Sequence, residues 1–468
     1  MTRLKPYPAM KDSGVPWLGE VPEHWDMRRG KWLFRHRKQI NSDRSNSNVL
    51  SLTLRGVVNN DPDNPEGLVP KDYASYQLFH KGDLVFKLID LENLRTSRVG
   101  LVHEDGIMSS AYVRLSPQKV VDIRFFFQQY FDLYQRGIYN QLGAGVRSTL
   151  GPTDLLELSV VVPLLYEQAA IVRYLNYMDR RIRRYIRIKQ RLIKLLEEQK
   201  QAIIHRAVTR GLDPNVRLKP SGVEWLGDVP EHWVILPIKR AFISMDYGIS
   251  ESANDSGTIR LLTMGNIKDG QVTIPGSGGV ASVVDTLLLE NGDLLFNRTN
   301  SSELVGKVGL YRDSDLAVTF ASYLVRMRPR SKHMPEYLNM LLNDISTLSI
   351  ARRESIPSLH QSNLNPTRYG RLQIALPPLE EQREILQLIL KRSYELDRAI
   401  ATGHREIALL REYRTRLIAD VVTGKLDVRE VAALLPDEAD EQEPIDEIAT
   451  IDNSDEEPTD DLDTVQEV

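Results

Sequence analysis

A long internal repeat constrains the fold of this chain more than any other feature of its sequence. SGVPWLGEVPEHW at 13–25 recurs as SGVEWLGDVPEHW at 221–233, with eleven of thirteen positions identical at an offset of 208. PLLYEQAAIV at 163–172 recurs as PPLEEQREIL at 377–386, at an offset of 214. Periods of about 20–50 residues indicate solenoids, whereas a period near 210 indicates duplication of a whole domain. The sequence between the repeated pieces has diverged, so we expect the two copies to differ there in what they do.

Composition narrows the class of protein. The 468 residues are 41% hydrophobic, which is enough for two packed domains. The absence of cysteine excludes disulfides, thiolate metal sites and cysteine nucleophiles, and it fits a reducing, cytoplasmic location. The first residues, MTRLKPYPAM, have no apolar core, and no apolar run approaches membrane-spanning length. We therefore predict neither a signal peptide nor a membrane span.

The net charge of −4 hides a strong partition along the chain. Residues 437–468 contain 15 Asp and Glu and no Lys or Arg, which leaves a body with 60 basic and 49 acidic residues. A basic body is typical of proteins that meet phosphates. The acidic end has too few apolar residues to pack and is predicted to be disordered. It could serve as a solubilising tail or as a shield for the basic surface.

Each half has the same order of parts, which predicts the fold class. A Trp-rich segment is followed by short strand-like apolar runs and short helices, and then by a long helix after Pro163 or Pro378. Apolar residues spaced alternately by three and four indicate a coiled-coil seam, in a rod of roughly 60 Å. In the first helix the predicted seam residues are Ile171, Leu175, Met178, Ile182, Tyr185, Leu192, Leu196 and Ile203. The sequence predicts an α+β protein with two tandem mixed α/β domains, separated by two long helices packed as an antiparallel coiled coil, in a pseudo-two-fold internal duplication. The predicted boundaries are 1–162 and 212–376 for the mixed domains, 163–211 and 377–427 for the helices, and 428–468 for the acidic tail.

Two repeated motifs have alternative interpretations. His24 and His232 in the PEHW repeats lack a second ligand at metal-binding spacing, so the repeated tryptophans more simply clamp this segment against its domain. Asp83 and Asp293, in GDLVF and GDLLF, could be catalytic acids, but no partner group repeats with them. A turn that leads into a buried strand is the better interpretation.

Polar loops in the divergent regions are the candidate DNA-contacting segments. Arg suits guanine and phosphate, and Asn suits adenine, although an ordinary polar loop is an alternative. The first half offers Lys87, Arg95, Thr96, Ser97, Arg98 and Arg147. The second half offers Asn266, Lys268, Asn297, Arg298, Thr299, Asn300, Ser301, Ser302, Arg352 and Arg353.

The first long helix is strongly basic. Between Glu167 and Arg210 it carries 12 Lys and Arg against 4 acids, including RRIRR at 180–184. The second helix, from Glu381 to Asp427, carries 9 against 8. The basic face could be a solvated coiled-coil exterior, a contact for DNA phosphates or a contact for an acidic partner.

Sequence motifs for catalysis are missing. There is no GxxxxGK[ST] phosphate loop, since GNIKDG at 265–270 is followed by Gln271. The run from Asn365 to Tyr369 lacks the Asn/Asp-Pro-Pro-aromatic form of adenine methyltransferases. We therefore predict no catalytic residues, no bound cofactor and no metal in this chain.

The duplicated layout, the WLGEVPEHW and WLGDVPEHW segments and the P-L-x-E-Q helix starts resemble the specificity (S) subunits of type I restriction–modification systems. The resemblance covers nearly the whole chain except the acidic tail. It implies two target recognition domains, at 1–162 and 212–376, that each read one half of a bipartite site in double-stranded DNA. It also implies that the long helices set the gap between half-sites and dock modification (methyltransferase) subunits, two copies of them, which restriction subunits then join. AdoMet, ATP and Mg²⁺ are implied to belong to those partners.

Other classes of protein remain open at this point. The chain could be an autonomous DNA-binding scaffold without an associated methyltransferase. It could also be a stand-alone enzyme whose site is unrecognised.

Overall fold

A computed structural model describes residues 4–53, 56–65, 70, 72–88, 98–142, 150–358 and 361–436. The chain divides into two compact units. Unit 1 comprises Met1–Arg187 and Glu406–Val468, and unit 2 comprises Ile188–Arg405. Each long helix therefore contributes one of its ends to each unit.

Unit 1 contains short strands, three short helices and the start of the first long helix. Its strands are β1 Met10–Asp12, β2 Glu20–Pro22, β3 Asp26–Arg29, β4 Phe34–His36, β5 Leu50–Thr53, β6 Gly56–Asn59, β7 Gln77–Phe79, β8 Leu84–Lys87, β9 Arg98–Leu101, β10 Gly106–Met108, β11 Val113–Pro117 and β12 Ser159–Val162. Its helices are α1 Ile123–Gln135, α2 Ile138–Leu142, α3 Pro152–Glu157 and the first part of α4 Leu165–Arg210.

Unit 2 repeats this order with a larger sheet. Its strands are β13 Leu218–Pro220, β14 Asp228–Pro230, β15 Val234–Pro237, β16 Phe242–Tyr247, β17 Ile259–Leu262, β18 Ile267–Lys268, β19 Gln271–Val272, β20 Gly279–Val280, β21 Leu294–Asn297, β22 Thr299–Asn300, β23 Val308–Leu310, β24 Val318–Phe320, β25 Leu324–Pro329, β26 Ile356–Pro357, β27 Ser362–Asn363 and β28 Gln373–Leu376. Its helices are α5 Pro335–Asn343, α6 Ile345–Arg353, α7 Pro366–Arg371 and the first part of α8 Leu379–Val422. After α8 the chain forms α9 Arg429–Ala433, which belongs to unit 1.

The main sheets of the two units have corresponding central strands, but they differ in the number of strands at their edges. Unit 1 has a four-stranded sheet in the order β4-β11-β8-β9, and unit 2 a six-stranded sheet in the order β16-β25-β21-β23-β19-β18. The central strands β8 and β21 come from GDLVF and GDLLF and are buried on both faces, as their continuous apolar runs predict. Unit 2 adds the small sheet β22-β27-β26 beside its main sheet.

The Trp-rich segments form the same frame in each unit. β1 pairs with β2 and β13 pairs with β14, 208 residues apart. The ammonium of Lys11 donates to the Trp25 carbonyl at 2.7 Å, and that of Lys219 donates to the Trp233 carbonyl at 2.9 Å. Trp25 and Trp233 are both buried in the core of their unit. These tryptophans therefore anchor the repeated segment to its own domain.

Each long helix starts with the same side-chain contacts. The Gln168 amide donates to the Pro163 carbonyl at 2.8 Å and accepts from the Asp122 backbone N–H. The Gln382 amide does the same with the Pro377 carbonyl and the Met334 N–H. Both glutamines are buried, so the helix start is fixed to the body of its unit by hydrogen bonds that satisfy buried polar groups.

The long helices pack against each other and run antiparallel. In unit 2, a Cβ added to Gly403 of α8 would lie 3.0 Å from Ile193 of α4. Lys200 of α4 pairs with Asp397 of α8 at 2.6 Å. Seven residues forward along α4 thus correspond to six residues backward along α8. In unit 1, Arg414 of α8 pairs with Asp179 of α4.

The apolar seam differs in part from the one that the sequence spacing predicts. Ile171, Leu175, Met178 and Ile182 are buried, as expected. Tyr185 and Leu192 are exposed instead, and Ile193 takes the buried position. The buried position shifts by one residue along the helix, because an α-helix has 3.6 residues per turn and drifts away from a strict 3.5-residue spacing.

The acidic tail begins later than the sequence predicts. Residues 428–436 are part of unit 1, where Val428 and Ala432 are buried in its core. Arg173 of α4 also donates to the Leu435 carbonyl at 2.6 Å. The sequence VREVAALL supplies enough apolar side chains to pack, and the acidic composition starts only afterwards. Residues 437–468 lie outside the described residues.

Candidate nucleic-acid interface

Few of the predicted contact residues of the first half can be placed. Lys87 ends β8 and lies opposite Arg98 of β9, for which only the backbone is described. Arg95, Thr96, Ser97 and Arg147 lie outside the described residues. The prediction for this half therefore stays a prediction.

In the second half, the loop that starts at Asn297 leaves the centre of the main sheet. Asn297 ends β21 and is buried, and its backbone N–H donates to the Lys307 carbonyl at 2.9 Å. Thr299 is also buried, in β22. These two side chains act inside the loop and are not on its surface.

Arg298 projects from the same loop but is held from several sides. Its guanidinium donates to the Ser322 carbonyl at 3.3 Å and to the Asn363 amide oxygen at 3.2 Å. It also stacks over the ring of Tyr247, 5.3 Å from the ring centroid. A guanidinium with three partners has a defined orientation, as recognition residues require.

The tip of the loop carries the most accessible polar groups. Ser301 and Ser302 are exposed, and Asn300 is partly exposed. The Asn300 side-chain oxygen accepts the Ser301 backbone N–H at 2.8 Å, which leaves its amide N–H groups directed away from that contact. Hydroxyl and amide groups at this tip can donate to or accept from a base edge.

Arg352 supports this loop from below. It lies in the last turn of α6, and its guanidinium donates to the carbonyls of Glu303 and Val305. Arg353, next to it, is exposed. Arg352 therefore contacts the 297–305 loop, which the sequence alone did not predict. Arg353 is accessible to a phosphate.

Asn266 and Lys268 lie at a separate turn of unit 2. The Asn266 side chain accepts the Thr263 N–H at 2.8 Å and donates to the Thr273 carbonyl at 3.0 Å, so it closes the turn around itself. Lys268 is exposed in β18, at the edge of the main sheet. Asn266 is thus occupied by local structure, whereas Lys268 can reach a ligand.

Residues that the sequence reasoning missed complete the surface around Arg298. Tyr247 and Tyr323 are about half exposed, and Asn363 is exposed on β27. They are separated from Arg298 by 25 to 65 positions, and no local motif links them. Only strand pairing, which sets Thr299 opposite Asn363, brings them together.

The repeated Asp residues have structural partners. Asp293 is buried and forms a two-point ion pair with Arg328, at 2.8 and 2.9 Å, while it accepts the Glu290 N–H at 2.8 Å. This carboxylate raises the pKa of Arg328 further above its ordinary value. Asp83 likewise accepts the His80 N–H at 2.7 Å and the Ser116 hydroxyl at 2.6 Å. Both carboxylates cap the turn before a buried strand, which agrees with the interpretation favoured from the sequence.

The PEHW histidines contact a helix glutamate. His24 lies 3.0 Å from Glu167, and His232 lies 2.7 Å from Glu381. Within the described residues no group of His, Asp and Glu side chains is arranged to hold a metal ion. Among the same residues, no helix is long and apolar enough to cross a membrane.

The fold defines a class of protein: a duplicated frame of two mixed α/β units with a pair of long helices, in which the second unit carries the larger main sheet. Curated relatives give this class a name, because the chain is similar to specificity subunits of type I restriction enzymes. It is 27% identical over 204 residues to the putative type I restriction enzyme MjaX specificity subunit of Methanocaldococcus jannaschii, which covers 42% of this chain and 47% of that protein. It is 23% identical over 282 residues to the StySPI specificity subunit of Salmonella potsdam, which covers 59% of each. The matches therefore span about half to three fifths of these relatives.

The fold itself has a solved counterpart. A chain described under "Structural basis underlying complex assembly and conformational transition of the type I R-M system" aligns with a TM-score of 0.64 at 15% identity, over 87% of this chain and 99% of that one. No protein-family model matches the chain. The resemblance predicted from the sequence and the predicted fold class are confirmed.

Proposed function

We propose that this chain is the DNA sequence-recognition subunit of a type I restriction–modification complex and reads an asymmetric bipartite site. The observation that carries the proposal is one frame, repeated down to the Lys11–Trp25 and Lys219–Trp233 contacts, that holds two different main sheets, one of four strands and one of six. Two copies of one frame would hold two DNA-reading domains in equivalent ways. Domains that differ in sequence and in sheet size would read different half-sites. The similarity to specificity subunits supports the same assignment.

In this proposal, recognition proceeds without chemistry in this chain. Asn300, Ser301 and Ser302 would read base edges, while exposed cations such as Lys268 and Arg353 would anchor phosphates. AdoMet, ATP and Mg²⁺ would act in the partner subunits, and the target adenine would be flipped out for methylation there. The complex would work in the cytoplasm, where the DNA lies.

Exposed apolar residues on the long helices support docking of partner subunits. Ile188, Leu192 and Leu195 on α4 recur at helical spacing and are each about half exposed. Leu390 and Tyr394 on α8 are exposed to about two thirds. Solvent-facing apolar stripes of this kind mark interaction sites. We assign these residues to the surface that docks the modification subunits, two copies of which would bind and be joined by the restriction subunits.

Methylome sequencing of the host with and without this gene tests the proposal. We expect N6-methyladenine at one two-part sequence with a fixed gap, and its loss on deletion. The tagged full chain should also co-purify with a subunit that carries a methyltransferase motif. An unchanged methylome and no such subunit would favour an autonomous DNA-binding scaffold, whereas methylation or cleavage by the isolated chain would indicate a stand-alone enzyme.

A further inference from the structure

Asn363 occupies a distinctive place in unit 2. It lies on β27, the middle strand of the sheet β22-β27-β26, opposite Thr299 on one side and Ile356 on the other. Its side chain is exposed, although it makes hydrogen bonds at its inner end. An exposed amide that is also held in place can present one fixed hydrogen-bonding group to a ligand.

The orientation of this amide is determined by its partners. Its Oδ1 accepts from Arg298 Nη2 at 3.2 Å and from the Thr299 hydroxyl at 2.9 Å. Because a guanidinium can only donate, the atom facing Arg298 must be the oxygen, and the NH₂ group must point the other way. An amide oxygen has two lone pairs, and both are used. The NH₂ group has no partner among the residues that the structure describes.

The support beneath Asn363 is itself rigid. Arg298 is fixed by the Ser322 carbonyl and by the Tyr247 ring, and Thr299 is buried. Tyr247 and Tyr323 remain about half exposed beside it. The amide can therefore not rotate to offer its oxygen without breaking two hydrogen bonds.

We propose that Asn363 is a specificity-determining residue that presents donors only. The inference rests on the proposed function, since it assumes that unit 2 reads DNA. An Asn usually pairs with adenine through both its oxygen and its nitrogen, but here the oxygen is taken. In the major groove the contacted base must therefore present acceptors with no donor beside them, as guanine does with N7 and O6 and thymine with O4, whereas adenine places its N6 amino donor beside N7. Cytosine, which presents an amino donor, is excluded.

Asn363→Asp tests this assignment. The carboxylate keeps an acceptor for Arg298 and Thr299, but it presents an acceptor where the NH₂ group was. The tagged full chain, in the assembly it forms in its host, selects duplexes from a randomised DNA library. We expect one position of one half-site to change from guanine or thymine to cytosine or adenine, by about tenfold in the ratio of selected bases. The other half-site should be unchanged and reports that the variant is folded.

Thr299→Val provides a second, independent variant. It frees one lone pair of the Asn363 oxygen with little change in volume, so the amide could pair with adenine. We expect adenine to rise about tenfold at the same position. Gln361→Glu, exposed two residues away, carries the same charge change as Asn363→Asp and should weaken binding uniformly without altering the selected base.

The outcomes separate this inference from the function on which it rests. If both variants select the wild-type sequence in both half-sites, Asn363 does not read a base, and the recognition function stands. If the wild-type assembly selects no sequence, the proposed function fails, and the inference fails with it.

Discussion

At the scale of single residues, Asp132 is a carboxylate whose environment opposes its charge. It lies on α1 with its side chain almost fully buried, and Arg136 is its nearest partner at 3.3 Å. Burial raises the pKa of Asp132 to about 6, against a partial lowering by Arg136. An unfolded Asp has a pKa near 3.9, so the folded chain binds the proton more tightly. The resulting stabilisation is fully present below about pH 4 and is lost as the pH rises through about 6.

We therefore predict that Asp132→Asn flattens the stability profile between pH 4 and pH 7. At pH 7.5 the variant should have a free energy of unfolding higher by roughly 1–2 kcal/mol, because no buried charge remains. Chemical denaturation at a series of pH values measures this. Asp26→Asn, at an exposed site of the same unit, controls for the loss of one negative charge. A profile as steep as that of the wild type would contradict the prediction.

The contacts of the candidate interface are also decided residue by residue. Composition singled out the run from Asn297 to Ser302 as a polar segment that follows a buried strand. They could not separate the buried Asn297 and Thr299 from the exposed Ser301 and Ser302, because exposure depends on strand pairing with β27. Whether any of these residues contacts DNA stays a prediction.

At the scale of elements, the end of α8 depends on a glycine. Gly424 has a φ of +76°, and a Cβ there would lie 2.3 Å from Pro22 and 2.9 Å from Trp25. The left-handed backbone and the lack of space both exclude a side chain. This close contact joins the helix end to the Trp-rich segment of unit 1.

Gly424→Ala should therefore destabilise unit 1 by more than the cost of the left-handed backbone alone, because the new methyl group would also clash with Pro22 and Trp25. Gly14→Ala is the matched control, since Gly14 has a φ of +69° and open space around it. We expect about 1 kcal/mol for Gly14→Ala and roughly 1–3 kcal/mol more for Gly424→Ala. Thermal and chemical denaturation compare the two variants. Equal losses would mean that the packing against Trp25 contributes nothing.

The apolar spacing of the sequence predicted some features of the long helices and not others. Apolar spacing predicted their existence, their length and a seam between them, because a 3.5-residue period needs no tertiary information. It misplaced Tyr185 and Leu192 in the seam, because both are apolar and only the path of the partner helix leaves them in solvent. The exposure of Leu192 supports the docking surface proposed for α4.

At the scale of the whole molecule, the proposed function requires the paired helices to act as a ruler. Because α4 and α8 run antiparallel, a change of length must be made in both helices to keep their contacts in register. Lys200 and Asp397 mark opposite positions. Two heptads inserted after Glu198, with two more after Arg398, would lengthen the pair by about 20 Å.

We predict that this paired insertion changes the preferred gap between half-sites and leaves both half-site sequences unaltered. Methylome sequencing of the host strain that carries the variant reports both quantities at once. The insertion after Glu198 alone is the control, and it should disturb packing between the helices and reduce methylation. A new half-site sequence with the original gap would refute the ruler.

The duplication, the fold class, the two long helices and the resemblance to specificity subunits were all predictable from the sequence alone. These follow from local patterns and from repetition, which are written directly in the order of residues. The three-dimensional fold was needed to show which polar side chains face solvent, which ones close turns, and that the end of α8 completes unit 1. Those outcomes depend on residues up to several hundred positions apart, such as Gly424 against Trp25, and on burial that no local pattern encodes.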